Sequence, residues 1–333
     1  MPALTRRAFT ATALSAFAAP VSAQQLDKVS FGTNWVAEAE HGGFYQAGVD
    51  GTYKKYGLDV TIVPGGPQVN NRMLLLAGRI DFFMSANCLQ GFDAVAENIP
   101  VIAVSAIFQK DPQVLLAHPG AAETFEDLKK LTLFVSPEGL QTYYKWMQAE
   151  FGFSESQTKP YTYNSQPFLV DRNSARQGYV TSEPFAVEKA GVKPKIFLLA
   201  DQGFNTYSTL IEARRETVEK RPDLVQRFVD ASAVGWYNYL YGDNKAANEL
   251  IRKHNPDMSQ DVIDYSIAKM KEYGIVDSGD TLKDGVGAMT DARMASFFDK
   301  MVKAGVVKPS VDFRKSYTLQ FVNKGVGLEL KPK

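Results

Sequence analysis

The 333-residue chain predicts an α/β protein folded as a two-domain clamp, with mainly parallel sheets, two crossing hinge segments and a helical C-terminal layer. Three observations carry this expectation. Residues 28–136 alternate short apolar runs of strand character with helical patterns, the arrangement of parallel strands joined by crossover helices. A second, shorter set over residues 125–200 repeats that layout at similar spacing. Beyond residue 215 the apolar period becomes almost wholly helical, which leaves no strands for a further sheet.

The first set reads as strand VSFGTNW, a helix to Tyr56 closed by Gly57, strand LDVTIV, a helix around VNNRMLLLAG, strand RIDFFMSA, a helix to Ala96 and strand PVIAVSAIF. The second reads LTLFVS, a helix through LQTYYKWMQAEFG, KPYTYN, a short helix, SARQGYVTS, a helix through Ala190 and KIFLLA. Among the C-terminal helices, RPDLVQRFVDASAVGWYNYLYG has Pro222 near its start and Gly242 near its end, as helix termini favour. These helices are expected to cover the first domain. The segment DPQVLLAHPG is expected to carry the chain into the second domain and FNTYSTLIEA to bring it back. The expected division is residues 24–115 with 211–333 for the first domain and 116–210 for the second, with hinges near 113–118 and 204–211.

Composition supports a globular chain: 45% hydrophobic and 22% charged residues, enough for two ordinary domains. Residues 1–23 read as a secretory signal peptide, with paired Arg6 and Arg7, a weakly apolar Ala- and Thr-rich stretch, and small residues Val21-Ser22-Ala23 before Gln24. The Thr5-Arg6-Arg7-Ala8-Phe9 run resembles a twin-arginine export signal, although Sec signals also carry paired arginines. Removing it turns an even balance of 37 basic and 37 acidic residues slightly acidic, so nothing attracts nucleic acid or an anionic membrane globally. Cys88 is the only cysteine, which rules out an intrachain disulfide. The expected location is the periplasm.

In open parallel sheets the ligand lies beyond the carboxyl ends of the strands. That places loops 65–70 and 85–87 of the first set, and 164–166 and 181–183 of the second, around a shared cleft. Gln68, Asn70, Asn87, Gln141 and Asn164 offer neutral hydrogen bonds there, Gln68 and Asn87 being retained as ligand contacts. Tyr163, Tyr179 and Tyr207 offer an aromatic box, with Tyr207, in the returning hinge, the preferred stacking partner; packing in strands is the plain alternative.

The stretch NWVAEAEHGG raises the sharpest question, because it gathers a tryptophan, an asparagine, two acids and a histidine just before a helix. Trp35 can stack on a planar ligand or sit in the core; Asn34 can bond the edge of a heterocycle or cap a turn. His41 can donate to a ligand beside the exposed amides of a helix start, or simply cap it. A metal site with Glu38 or Glu40 lacks a nearby second histidine. Glu183, before Pro184, suits a helix N-terminus or an acceptor for a ligand N–H group. Cys88 reads as a small buried residue rather than a nucleophile, and no catalytic elbow, phosphate loop or zinc motif occurs.

Asn34-Trp35, His41-Gly42-Gly43-Phe44-Tyr45-Gln46-Ala47, Tyr56-Gly57-Leu58-Asp59-Val60, Leu76-Ala77-Gly78-Arg79-Ile80-Asp81 and Gln177-Gly178-Tyr179-Val180-Thr181-Ser182-Glu183-Pro184 together resemble a known family. The chain looks like a periplasmic solute-binding protein of the nitrate, sulfonate and taurine type, most similar to the thiamine-precursor branch. The resemblance implies a type II clamp that captures a small planar heterocycle, first of all a thiamine-type pyrimidine, and delivers it to an ABC permease and its ATPase. It also implies a monomer without cofactor or metal, with Trp35 and Glu183 on the family's ligand positions. Val36-Ala37-Glu38-Ala39-Glu40 departs from the proline-containing residues the family commonly has there. An aromatic carboxylate or sulfonate is the alternative ligand, for which Arg72 or Arg176 must reach the cleft. Cytosolic fungal relatives that make the thiamine pyrimidine suggest an enzyme using His41, but their cysteine-rich motif is missing here. A ligand-sensing domain would use the same clamp.

Overall fold

The computed structural model describes residues 25–66, 69–161 and 164–332. Among the described residues ten strands form two five-stranded sheets. The first contains β1 (Asp27–Gly32), β2 (Leu58–Val63), β3 (Phe82–Asn87) and β4 (Val101–Phe108). The chain then enters the second sheet through β5 (Gln113–Ala117), β6 (Thr132–Val135), β7 (Thr158–Pro160), β8 (Ser174–Tyr179) and β9 (Lys195–Leu198), and returns to the first as β10 (Ser208–Arg214). The orders are β2-β1-β3-β10-β4 and β7-β6-β8-β5-β9.

The α/β clamp class agrees with the sequence, and in each sheet four of the five strands share one direction while a single strand runs against them. In the first, β1 runs parallel to β2 and β3, whereas β10 runs antiparallel to β3 and β4. In the second, β6 is parallel to β7 and β8, while β5 is antiparallel to β8 and β9. The reason lies in the crossings. β5 and β10 are the strands that begin immediately after the chain changes sheet, so each starts at the cleft and must run away from it. Their neighbours end there.

Local chemistry explains the elements around the cleft. Gly57 adopts φ +76, a left-handed cap ahead of β2. The side chain of Asn70 accepts from the Met73 N–H to start helix Asn71–Leu76, and that of Asn87 accepts from the Leu89 N–H to start helix Cys88–Ala96. Every residue of β4 is buried although it is an edge strand, because the C-terminal segment covers it: the Thr318 N–H donates to the Ala103 carbonyl at 2.9 Å.

The long helix Pro222–Tyr241 lies on the first sheet, with Phe228 stacked on Phe82 at 4.2 Å and Trp236 edge-on to Phe44 and Phe108. Helix Asp291–Lys303 reaches further: Phe297 meets Phe204 at 5.3 Å, and Phe204 meets Trp146 of the second lobe at the same separation. The apolar core is therefore continuous from one lobe to the other. Among the described residues no helix is long and apolar enough to cross a membrane.

Candidate functional site

A cleft of about 370 Å³ opens between the two sheets at the ends of β1, β3, β4 and β8. The first lobe contributes Asn34, Trp35, Glu38, Glu40, His41 and Asn87, and the second Glu138, Tyr143, Gln177, Tyr179 and Glu183. Asp111, Phe204 and Ser208 enter from the crossing segments. The size suits a small organic molecule enclosed on most sides.

Trp35 is held by its neighbours' backbone. The Thr33 hydroxyl donates to the Trp35 carbonyl at 2.7 Å and accepts from the Gly65 N–H at 3.0 Å, while the Asn71 amide donates to the Thr33 and Val63 carbonyls. A Cβ on Gly65 would stand 2.4 Å from the Thr33 carbonyl oxygen, so only glycine permits this close approach.

After Trp35 the chain makes a 3-10 turn, Ala39–His41, and enters helix Gly42–Val49. The Gly42-Gly43 pair serves packing: added Cβ atoms would lie 2.0 Å from the Tyr239 ring and 2.2 Å from the Trp236 ring. Tight docking of this helix on Pro222–Tyr241 pulls the preceding turn inward, leaving His41 1% and Glu40 4% exposed. His41 Nε2 stands 3.6 Å from a Glu38 carboxylate oxygen, and its Nδ1 has no hydrogen-bond partner. Burial pushes the imidazole pKa down to about 3, so it stands neutral in the cleft.

The acids move the other way. Burial first, and then the charges of Glu40 and Glu183, push Glu38 well above the ordinary carboxyl range. Burial also raises Glu40, partly offset by the Thr181 hydroxyl. Asp111, which accepts from the Gln113 N–H at 2.9 Å, is pushed up to about 6, again chiefly by burial. The Cys88 thiol is 2% exposed and burial pushes it up to about 11, which suits a core residue rather than a nucleophile.

On the opposite wall, Glu183 opens helix Glu183–Lys189 and folds back over Gly178, whose missing Cβ would lie 2.6 Å from that of Glu183. Its Oε2 accepts from the Tyr179 N–H and the Ser182 hydroxyl, both at 2.7 Å, and its Oε1 lies 3.7 Å from Arg176. Gln177 Oε1 accepts from the Tyr143 hydroxyl at 2.9 Å and from the Ser136 N–H, orienting the tyrosine at the cleft wall.

The structure thus gathers Asn34, Trp35, His41, Asn87 and Glu183 around one cleft. Gln68 and Tyr163 lie outside the described residues. Tyr207 is not a stacking partner: it is 1% exposed, its ring packs under the Arg293 guanidinium at 4.0 Å, and its hydroxyl donates to Asp280. A hinge position with a large apolar ring favoured burial over exposure. Asn164 caps a turn by accepting from the Gln166 N–H. Arg72 pairs with Glu212 and donates to the Gln90 carbonyl, and the buried Arg176 donates to the Tyr161 and Ser165 hydroxyls and the Gln177 carbonyl. No lysine or arginine is among the described residues that line the cleft.

Sequence reasoning overlooked Asp111, Glu138 and Tyr143. Glu138 follows Ser136-Pro137 at a strand-to-helix junction, the same signal that pointed to Glu183. Asp111 stands at the first crossing, where position relative to the cleft depends on both sheets at once.

Two lobes around an enclosed polar and aromatic cleft define a clamp-type ligand-binding fold. The chain belongs to the family described as NMT1/THI5 like, which matches residues 38–247. It is 22% identical over 328 residues to the riboflavin-binding protein RibY of Chloroflexus aurantiacus, covering 95% of this chain and 92% of that one. It superposes on the periplasmic aliphatic sulphonate binding protein SsuA from Escherichia coli with a TM-score of 0.64 at 14% identity, covering 87% of this chain and 91% of that one. The desulfurization enzyme DSZB gives 0.59 at 12% identity, covering 91% and 99%. The fold therefore hosts both binding proteins and an enzyme, and the site must decide between them.

Proposed function

We propose that this protein is the periplasmic substrate-binding component of an ABC importer, which closes two lobes on a small planar nitrogen heterocycle and presents it to a membrane permease. The observation that carries this reading is the cleft itself: Trp35 and Asn34 from one lobe face Tyr143, Tyr179 and Glu183 from the other. Aromatic faces suit a flat ring, and carboxyl and amide oxygens suit its N–H edge. Family membership and the riboflavin-binding relative favour a heterocycle of this kind. A thiamine-type pyrimidine is the first ligand to try.

Closure then follows from contacts made to both lobes at once, which shift the hinge equilibrium toward the closed form. Binding is favoured over turnover because the residues an enzyme would need are poorly poised. His41 is neutral with a strongly lowered pKa, making it a weak base, and Cys88 is buried. A sulfonate or carboxylate ligand finds no cationic side chain at the cleft wall, since Arg72 and Arg176 are engaged elsewhere.

The test is a thermal-shift titration of the chain from Gln24, stripped of ligand, with aminopyrimidines, flavins, pyridoxine-type rings, taurine, other sulfonates and nitrate. A ligand at about 100 times its Kd raises stability by about 2.7 kcal/mol. Heterocycles should raise the melting point and Trp35→Ala should abolish the shift. A response to sulfonates or nitrate alone would overturn the ligand assignment.

A further inference from the structure

We infer that the cleft selects a positively charged ring: an organic cation held by Glu38, Glu40 and Asp111 and stacked against the aromatic wall of Trp35 and Tyr143. This rests on the binding role proposed above and adds the charge of the ligand.

The distribution of charge is one-sided. Carboxyls of Glu38, Glu40, Asp111, Glu138 and Glu183 line the cleft from both lobes and the crossing segment, with no lysine or arginine beside them. One guanidinium, Arg176, stands behind Glu183 at 3.7 Å and is itself 1% exposed, bonded to hydroxyls of its own lobe. Glu183 is further engaged by the Tyr179 N–H and the Ser182 hydroxyl. Glu38, Glu40, Asp111 and Glu138 have no cationic partner among the described residues, because His41, the one basic neighbour of Glu38, stays neutral.

A second observation points into the same space. Glu40 Oε2 and His41 Nδ1, on residues 4% and 1% exposed at the cleft wall, lack hydrogen-bond partners. Buried polar groups in native proteins are seldom left this way. An N–H donor at this wall would satisfy the carboxylate. Among the described residues no group of three or more His, Cys, Asp or Glu is placed to hold a metal ion, and the aromatic wall of Trp35 and Tyr143 suits an organic cation.

Across the cleft Glu183 acts on Glu38 and Glu40, while Tyr179 faces Glu38, Asp111, Glu138 and Glu183, and Tyr239 faces Glu40 and Asp264. Burial and the neighbouring carboxylates raise Glu38 and Glu40, so these carboxyls keep their protons to higher pH than ordinary ones. An entering cation replaces the protons. Each carboxylic acid that ionises to meet it releases one H⁺ to solvent, so binding tightens as pH rises toward neutrality while the cation keeps its charge.

Matched rings separate charge from shape. Isothermal titration of the chain from Gln24 would use 1-methylnicotinamide, nicotinamide and nicotinate, and benzamidine, benzamide and benzoate, in two buffers of different ionisation heat. The expected result is a cation at least about tenfold tighter than its neutral analogue, weaker still for the anion, with net proton release. Glu38→Gln and Glu40→Gln should each shrink the cation-to-neutral ratio about tenfold, while apo melting points at or above wild type show that both variants fold. Equal or tighter binding of a neutral or anionic ring, or proton uptake with the cation, overturns the charge assignment and leaves heterocycle binding standing. Heat from taurine, titrated alongside them, with none from any of the six rings, or heat from no compound at all, overturns both.

Discussion

Arg72 and Glu212 meet inside the first lobe through a two-pronged pair, with Nε 3.2 Å from Oε2 and Nη2 3.2 Å from Oε1. Glu212 is 1% exposed, and burial raises its pKa even against the attraction of Arg72. Such a pair contributes little net stability, yet losing one partner strands the other charge. Arg72→Ala should therefore cost about 3 to 5 kcal/mol, read as a lower urea midpoint, and adding Glu212→Leu should recover part of it. Asp111 carries a different prediction. Its folded pKa of about 6 lies above the ordinary 3.8, so the native state binds its proton more tightly. That stability is fully present below about pH 4 and disappears as pH rises through about 6. The ligand-free protein should be stabler at pH 5 than at pH 7 by about 1 kcal/mol from Asp111 alone, with Glu38 and Glu40 adding in the same direction. Asp111→Asn should flatten that slope in urea titrations at the two pH values; an unchanged slope would assign it to other groups.

At the scale of elements, the helix Gly42–Val49 shows what local sequence carries and what it does not. Gly43 sits under the Trp236 indole, and an alanine there would force the two helices apart. Gly43→Ala should destabilise by about 1 to 3 kcal/mol and, because the Ala39–His41 turn precedes the same helix, should also weaken ligand binding. Denaturation and titration of one variant check both. The glycine pair was visible in the sequence, but its partner rings lie nearly 200 positions away, so its role in packing was not. The strands were legible because each is a short apolar run of period or composition that helices do not share, from LDVTIV to KIFLLA. Strand direction was not legible, since β5 and β10 look like any other apolar run and reverse only because they begin at the crossing. The same limit separates the residues expected at the cleft. Trp35, Asn34, Asn87 and Glu183 stand at strand ends or helix starts, where local pattern suffices. Tyr207 looked equally well placed, but its ring is buried under Arg293 from a helix more than eighty residues further on.

For the whole molecule, that arginine is the element that joins both crossings. From helix Asp291–Lys303, Arg293 donates to the side chain and carbonyl of Gln109 on the first crossing, and to the carbonyls of Asn205 and Thr206 on the second. It is also 3.6 Å from Asp280, which accepts from the Tyr207 hydroxyl. Four backbone and side-chain oxygens thus share one guanidinium at the two places where the described chain passes between the lobes. A clamp needs these segments to bend together, and a single rigid fork on both couples their movement. Arg293→Gln keeps a shorter polar side chain but loses the fork. The lobes should then sample wider openings, seen as a larger radius of gyration in solution scattering of the ligand-free protein. Ligand affinity should fall by the fraction of closed-competent molecules lost, while the enthalpy of the contacts in the closed cleft stays near wild type. If scattering is unchanged and affinity still falls, Arg293 acts on the cleft through Tyr207 and Phe204 packing rather than on the hinge. If neither changes, the crossings are held by the continuous core that Phe204, Phe297 and Trp146 build beneath them.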